Sequence, residues 1–321
     1  MQMHSSTSSS ERGSRRAFLW LVAALCTFMV MLEIGSRLVV PRVSHQVGRF
    51  QSDRANAIGM SREKARPLES MLLVGNSLLL EGIDRRQLQS KLAGSFSVSL
   101  FPLENTTYLD WYFGLRRLFR EGARPDVVVL CMNARQILSD ATSGEFFAHF
   151  HMDLWDLGAV AALGGLDNMT ASSYLLANQS YWLATKSNIR NGVLERALPG
   201  ASMLAGRLAA APRGSGEPLL VPVEEVVSRL LELRMLADAF GTRFIWLVPP
   251  TLDAGDPSVD IMSEAARAGV DVVIPLAPGS LPESAFSDGF HLNRLGAHLF
   301  TDASAERLLD FAAAAAVTAD Q

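Results

Sequence analysis

The chain has 321 residues, of which 49% are hydrophobic and 19% charged, and its formal net charge is −4. This composition is typical of a protein that folds around a sizeable core, and it excludes an intrinsically disordered chain. The weakly acidic balance gives no electrostatic reason to expect nucleic acid as a partner. Two cysteines are too few for a disulfide framework or a cysteine-rich metal centre.

The N-terminal region predicts a membrane anchor. Residues 1–16 are polar and rich in serine, and we predict a disordered cytoplasmic tail there. Residues 17–32 (AFLWLVAALCTFMVML) carry no charge, and we predict a transmembrane helix over 17–40, because a bilayer requires about 20 such residues. Glu33 and Arg37 lie four residues apart, so they are expected to pair where this helix leaves the hydrocarbon.

A cleaved signal peptide is the alternative to an anchor. It requires small residues at a cleavage site, and the sequence EIGSRLVVPRV after the apolar run supplies a poor one. Arg12, Arg15 and Arg16 favour a cytoplasmic N-terminus, although four arginines after the segment weaken this preference. The pattern therefore favours a single-pass anchor with the folded domain outside the cytoplasm.

The rest of the chain predicts a polar stalk followed by an α/β domain. Residues 41–67 are polar and irregular, as in a linker. From 68 to 317, short apolar runs alternate with helix-length segments, which indicates βα units and a parallel sheet in a three-layer domain. A helical insertion at about 137–218 interrupts this alternation. The predicted strands are 71–74, 96–101, 126–132, 243–248 and 269–276, and the clearest helices are 108–122, 223–241 and a last helix from 294.

Polar residues follow four of the predicted strands. Ser77 follows the first strand in a Gly-Asn-Ser turn, Asn105 follows the second, Asn133 the third, and Asp288 and His291 follow the fifth. The loops that leave the carboxyl ends of parallel strands lie along one edge of the sheet, so we expect these five residues on one edge.

Together these residue types can perform acyl transfer through a serine ester. A serine hydroxyl is a weak nucleophile until a base takes its proton, and His291 is the candidate base. Asp288 can bond the other ring nitrogen and fix its tautomer. The oxyanion of the tetrahedral intermediate needs hydrogen-bond donors, for which the candidates are the Ser77 N–H, the Asn133 amide and a backbone N–H near Asn105.

Three segments resemble the SGNH (GDSL-like) hydrolase superfamily. LLVGNSLLL resembles the first block, with Ser77 as nucleophile, and SDGFHLNRLGAHLF resembles the last block, which supplies Asp288 and His291. VVVLCMNARQ is similar to the block that carries the oxyanion asparagine, here Asn133. The resemblance covers about 70–136 and 219–315 and implies a flavodoxin-like parallel sheet. The chain departs from the pattern in two places: PLENTT lacks the second-block glycine, and Met132 stands where a glycine precedes the asparagine.

Superfamily members with an N-terminal anchor resemble proteins that accompany polysaccharide O-acetylation. The resemblance implies a bacterial inner-membrane protein with a periplasmic domain that transfers an acyl group, expected to be acetyl, from Ser77 to an envelope or exported polysaccharide. The implied partners are a membrane-bound O-acyltransferase or polysaccharide synthesis and export proteins. A carbohydrate or lipid esterase with the same triad, and a non-catalytic partner with the same fold, are the alternatives.

Structural roles for the same residues also stay open. Ser77 can be an ordinary turn residue, Asp288 can cap the last helix, and Asn133 can satisfy buried backbone groups. His149 and His151, with Asp153, suggest a metal site, but further ligands are not evident. We therefore expect neither a metal nor a cofactor.

Overall fold

A computed structural model describes residues 8–60, 68–198 and 221–319. The strands are β1 (Glu69–Gly75), β2 (Phe96–Pro102), β3 (Val127–Cys131), β4 (Arg243–Leu247) and β5 (Asp271–Val273). The helices are α1 (Ser8–Val43), α2 (His45–Ile58), α3 (Ser77–Gly82), α4 (Arg85–Leu92), α5 (Tyr108–Arg120), α6 (Ala134–Ile137), α7 (Glu145–Phe150), α8 (Leu157–Leu163), α9 (Asn168–Gln179), α10 (Tyr181–Ala197), α11 (Val223–Ala239), α12 (Ser258–Arg267) and α13 (Arg294–Ala319).

The described strands form one parallel sheet in the order β2-β1-β3-β4-β5. This is the flavodoxin-like order, in which a ligand site is expected where the order reverses, at β1 and β3. The predicted parallel α/β fold is therefore confirmed. We call the edge at which the strands end the carboxyl edge and the opposite edge the amino edge.

Helices cover both faces of the sheet, which explains why its strands are continuous apolar runs rather than alternating ones. On one face α2, α5 and α11 pack over the sheet, and the fully buried Trp111 and Trp246 lie in this core. On the other face α4 and α13 supply Leu88 and Phe300. The sheet is thus the middle of three layers.

The predicted irregular stalk at 41–67 differs from the structure. His45–Ile58 is a helix, and its Val47, Phe50 and Ala57 are buried in the same core as Trp111. Its polar composition conceals this narrow apolar stripe, which is enough to dock a helix against a sheet. Residues 61–67 lie outside the described residues.

The N-terminal helix is longer than the predicted span of 17–40. It begins at Ser8, within the tail that we predicted to be disordered, while residues 1–7 lie outside the described residues. Ser14–Val43 is apolar and long enough to cross a membrane, with a mean hydropathy of 2.2 in its most apolar window, none of which is buried. An apolar window exposed in this way, near the N-terminus, is typical of a membrane-spanning segment or of a signal sequence.

The C-terminal end of α1 is docked on the domain. The predicted pair between Arg37 and Glu33 is present at 2.8 Å. Glu33 also accepts hydrogen bonds from the Tyr181 N–H (2.9 Å) and the Ser180 hydroxyl (3.0 Å) at the start of α10. Val40 is fully buried in the core. The end of the predicted anchor is therefore part of the folded domain.

The insertion predicted at about 137–218 contains α7 to α10, and its residues 199–218 lie outside the described residues. His149 Nδ1 lies 3.0 Å from the carbonyl oxygens of Ala177 and Asn178. His151 is buried, and its Nδ1 lies 2.8 Å from the Asp110 carbonyl oxygen. The His149 contact thus joins α7 to α9 within the insertion, and the His151 contact joins the insertion to α5 of the domain.

Candidate active site

Ser77 occupies the first turn of α3, directly after β1. Asn76 caps this helix, because its Oδ1 accepts a hydrogen bond from the Leu78 N–H at 3.0 Å. A Cβ on Gly75 would lie 2.4 Å from the Cys131 carbonyl oxygen on β3, so only glycine fits there. Within the three residues Gly-Asn-Ser, strand β1 thus ends in close contact with β3 and helix α3 begins. As the first helical residue, Ser77 has no intrahelical partner for its N–H.

The structure brings Ser77, His291 and Asp288 together. His291 Nε2 lies 2.9 Å from Ser77 Oγ, and His291 Nδ1 lies 2.8 Å from Asp288 Oδ2. When Nδ1–H donates to the carboxylate, Nε2 carries the lone pair and faces the serine hydroxyl. This is the geometry required to activate a serine nucleophile.

The Asp288 carboxylate is held by its own loop. Its Oδ1 accepts the backbone N–H of His291 at 2.7 Å and that of Phe290 at 3.0 Å. Partial burial pushes the pKa of Asp288 upward, but these hydrogen bonds and the one from the His291 ring outweigh it, so the pKa lies below its ordinary value. Asp288 is therefore ionised at neutral pH, as an orienting group must be.

The loop that carries His291 is fastened to α13. Asn293 Nδ2 donates to the Ser284 carbonyl oxygen at 2.7 Å, and Asn293 Oδ1 accepts the Leu295 N–H at 3.0 Å. A Cβ on Gly296 would lie 2.3 Å from the Ala285 carbonyl oxygen. Asn293 and Gly296, which follow His291 in the segment SDGFHLNRLGAHLF, therefore position His291. The resemblance of this segment to the last SGNH block gave neither residue a role.

Asn133 caps α6 with one side of its amide and leaves the other side available. Its Oδ1 accepts the Gln136 N–H at 2.9 Å, while Gln136 Oε1 accepts the Asn133 N–H at 3.2 Å. Trp246 Nε1 donates to the Met132 carbonyl oxygen at 2.7 Å and fixes the preceding residue. Because the cap orients Oδ1 toward the helix, Nδ2 remains as a donor at the carboxyl edge. Gln136 and Trp246 were not among the residues that the sequence singled out.

Asn105 adopts the backbone conformation that the missing glycine would supply. Its φ is +59°, in the left-handed region that favours glycine and that asparagine tolerates best among other residues. The loop is tied to the nucleophile turn, because Asn76 Nδ2 donates to the Thr106 carbonyl oxygen at 3.2 Å and the Leu103 N–H donates to the Gly75 carbonyl oxygen at 2.8 Å. Its exposed side chain points away from the core.

A polar cavity of about 200 Å³ lies beside Asn105. It is enclosed by α2, the insertion and the loop after β2. Its two carboxylates have cationic partners, since Glu104 pairs with Arg49 and Glu145 with Lys186. Uncharged amides and hydroxyls supply much of the remaining lining, namely Gln46, Asn105, Ser143, Ser187, Asn188 and Asn191.

No protein-family model and no curated protein sequence matches the chain. Among solved structures, it is similar to an α/β hydrolase enzyme from the metagenome of Lake Arreo, with 12% identity, a TM-score of 0.38, and coverage of 77% of this chain and 95% of that one. An acetylxylan esterase from Geobacillus stearothermophilus has 12% identity, a TM-score of 0.38, and coverage of 74% and 93%. TesA has 14% identity, a TM-score of 0.37, and coverage of 75% and 98%. The role of the site in this chain therefore has to be argued from its own geometry.

Proposed function

We propose that this chain is an extracytoplasmic serine O-acyltransferase, expected to carry acetyl, that acts on an envelope or exported polysaccharide. The observation that carries the proposal is the continuous hydrogen-bonded series from Asp288 through His291 to Ser77. Two more residues at the same edge, Asn133 and Asn105, are candidates for the oxyanion hole.

The first half-reaction loads the serine. His291 Nε2 takes the Ser77 hydroxyl proton as Oγ attacks the carbonyl carbon of the acyl donor, and Asp288 stabilises the imidazolium. The negative charge on the carbonyl oxygen is stabilised by the Ser77 N–H, the Asn133 Nδ2 amide and the Asn105 N–H. The bond from carbon to the leaving group then breaks, His291 returns the proton to that group, and the acyl ester remains on Ser77.

The second half-reaction unloads the serine by the same steps in reverse. His291 takes a proton from an acceptor hydroxyl, whose oxygen attacks the ester carbon, and the Ser77 oxygen leaves with the proton from the imidazolium. A sugar hydroxyl as acceptor gives transfer, and water gives hydrolysis. The esterase alternative is favoured by one observation, which is that 53% of the Asp288 side chain and 23% of the His291 side chain are exposed to solvent.

The cavity beside Asn105 supports a neutral polyhydroxylated acceptor. Amide and hydroxyl side chains hydrogen-bond sugar hydroxyls as donors and acceptors, whereas the two carboxylates in the lining, Glu104 and Glu145, are already paired with Arg49 and Lys186. Its position next to the candidate oxyanion loop suits an acceptor that approaches the Ser77 ester from the α2 side of the sheet.

The N-terminal helix supports a membrane-held transferase at the bacterial inner membrane, with the domain in the periplasm. Signal-peptide cleavage beyond residue 33 would remove Glu33, whose carboxylate accepts hydrogen bonds at the start of α10, and cleavage beyond residue 40 would also remove the core residue Val40. A retained α1 would keep the domain at the membrane surface, where the polysaccharide machinery that we propose as its partner is membrane-bound. A membrane-bound O-acyltransferase that delivers the acyl group is the partner we propose.

Capture of the acyl-enzyme tests the function. The full chain in lipid nanodiscs is mixed with p-nitrophenyl acetate and its intact mass is measured, beside Ser77→Ala and His291→Gln. We expect an acetyl adduct on the unaltered chain alone. Faster loss of the adduct on addition of polysaccharide than in buffer supports transfer, and an unchanged rate supports the esterase. No adduct and no turnover with several ester donors would overturn both and favour the non-catalytic partner.

A further inference from the structure

An apolar helical stretch of the insertion is exposed rather than buried. Residues 154–163 (LWDLGAVAAL) form a short apolar helical segment. Trp155, in the 3-10 turn Leu154–Asp156 that leads into α8, is 92% exposed, and Leu163 at the end of α8 is 55% exposed. An exposed apolar surface of this kind marks an interaction site.

The exposed face extends onto α9. Met169 is 81% exposed and Leu176 is 59% exposed. We call the exposed set Leu154, Trp155, Leu163, Met169 and Leu176 the insertion face.

The α9 end of the insertion face lies beside Glu33 of α1. The Ser180 N–H donates to the Leu176 carbonyl oxygen at 3.1 Å, and the Ser180 hydroxyl donates to Glu33 at 3.0 Å. Glu33 is the first charged residue after the apolar run 17–32. One end of the insertion face therefore lies at the level of the hydrocarbon boundary.

The other end of the insertion face lies at the amino edge of the sheet. Helix α5 runs from the carboxyl edge, after β2, to the amino edge, before β3, and Arg120 in its last turn bonds Asp153 at 2.6 Å. Trp155 is two residues beyond Asp153. The carboxyl edge, with Ser77 and His291, is on the opposite side of the domain.

The path of α1 agrees with this placement. Helix α2 begins near the carboxyl edge, where Arg49 pairs with Glu104, and ends near the amino edge, where Arg54 pairs with Glu121. Tyr181 contacts both Glu33 of α1 and Gln51 midway along α2, whereas α1 ends where α2 begins, so α1 rises along the domain from the amino-edge side. The bilayer that α1 crosses therefore lies on the amino-edge side, as the insertion face does.

We propose that the insertion face rests in the headgroup–acyl boundary of the bilayer that α1 spans, with Trp155 as its interfacial anchor. Amphipathic aromatic rings favour this depth, and apolar helix faces bury themselves there. The domain then stands with its carboxyl edge turned away from the membrane. This inference depends on α1 as an anchor and not on the chemistry of Ser77.

The test measures the depth of single labelled positions in the full chain. Cys26, which is exposed on α1, is replaced by alanine, while the buried Cys131 stays. Trp155→Cys and Leu163→Cys are each labelled with an environment-sensitive fluorophore in nanodiscs that contain anionic lipid. The matched control is Leu295→Cys, because Leu295 on the first turn of α13 is 54% exposed against 55% for Leu163 and lies at the carboxyl edge. Met169→Cys provides a further position if one variant folds poorly.

We expect lipids with a nitroxide high on the acyl chain to remove most of the emission at positions 155 and 163 and to leave position 295 unaffected. A water-soluble quencher should act in the opposite order. If all three positions respond to the aqueous quencher alone, the proposal is wrong. Protection of 155 and 163 in native membranes but not in nanodiscs would also overturn it and would assign the insertion face to a protein partner.

Discussion

His291 Nε2 lies 2.9 Å from Ser77 Oγ, although the two residues are 214 positions apart in the chain. Asp288 reaches the same imidazole from three residues away. The acid–base pair is thus a local feature of one loop, whereas its contact with the nucleophile requires the complete sheet. Any change that shifts β1 against the loop before α13 is expected to separate the pair from the serine without unfolding either.

Replacement of Asp288 by asparagine should lower ester turnover strongly. The amide cannot accept the Nδ1–H as a carboxylate does and favours the wrong tautomer of His291, so we expect kcat/KM to fall by about 10²–10⁴-fold. Steady-state hydrolysis of an activated ester measures this change. Asp310→Asn, on the exposed side of α13, is the matched control and should leave turnover unchanged. Equal activity of the Asp288 variant would remove this residue from the triad.

The two roles of the Asn133 side chain, N-cap of α6 and oxyanion donor, can be tested separately. Serine at this position retains the N-cap acceptor for α6 but has no amide Nδ2. We expect Asn133→Ser to melt close to the unaltered chain and to lose about 10²–10³-fold in kcat, which is the usual effect of removing one oxyanion donor. Asn133→Ala should lose activity and some thermal stability together. Full activity in Asn133→Ser would mean that Asn133 serves α6 only.

Replacement of Asn105 by glycine should preserve stability and turnover, whereas replacement by alanine should lower both. At φ +59° glycine is unstrained, whereas a Cβ without a compensating polar group costs about 1–2 kcal/mol. If the backbone N–H is the oxyanion donor, Asn105→Gly will retain turnover and Asn105→Ala will reduce it along with the melting temperature. Urea unfolding and ester hydrolysis on the same samples measure both. Loss of activity in the glycine variant with unchanged stability would instead point to the side chain.

The buried groups Asp110 and His151 should have opposite effects on stability between about pH 4 and pH 6. Burial raises the pKa of Asp110 to about 6, although hydrogen bonds from Ser143 and Thr107 oppose it, and burial lowers the pKa of His151 to about 4. Over this range the folded state retains a proton on Asp110 that the unfolded state loses, so this contribution to stability falls as pH rises. His151 binds its proton only in the unfolded state, so its contribution rises with pH.

Single variants should reveal how each of the two groups changes the unfolding free energy with pH. In Asp110→Asn the His151 contribution remains, and we expect about 2 kcal/mol more loss of unfolding free energy than in the unaltered chain as pH falls from 6.5 to 4. His151→Gln should show the reverse slope, with stability lost as pH rises toward 6. Urea titrations at a series of pH values measure the differences. Parallel curves for all three proteins would contradict the assignment of either pKa.

Much of the fold was predictable from local sequence. The runs LLV, VVVL and FIWL are apolar and partly β-branched, and each occupies a strand buried on both faces. The residues after them could be assigned to one edge because parallel strands end together. The pairing of Asp288 with His291 follows from their three-residue spacing in one turn.

Other features depend on contacts that the local sequence does not contain. The sequence of α2 resembles a polar linker, because its few apolar residues become recognisable as a buried stripe only when the sheet that they pack against is known. The left-handed φ of Asn105 is set by ties from Asn76 and Leu103, and PLENTT alone predicts a loop without its conformation. Trp246 fixes Met132 across 114 positions, a contact that no local pattern indicates.

The docking of α1 on the domain limits how far the candidate site can move toward or away from the membrane. With Val40 in the core and Glu33 bonded to α10, the described chain from α1 through α2 offers no free swivel between anchor and domain. The domain would therefore keep a fixed orientation and a fixed distance from the membrane. As the protein rotates and diffuses in the membrane plane, the distance from Ser77 to the membrane surface would stay constant. Under the proposed function, polysaccharide hydroxyls at that distance from the membrane would be acylated, whereas hydroxyls nearer the lipid or farther from it would not be reached.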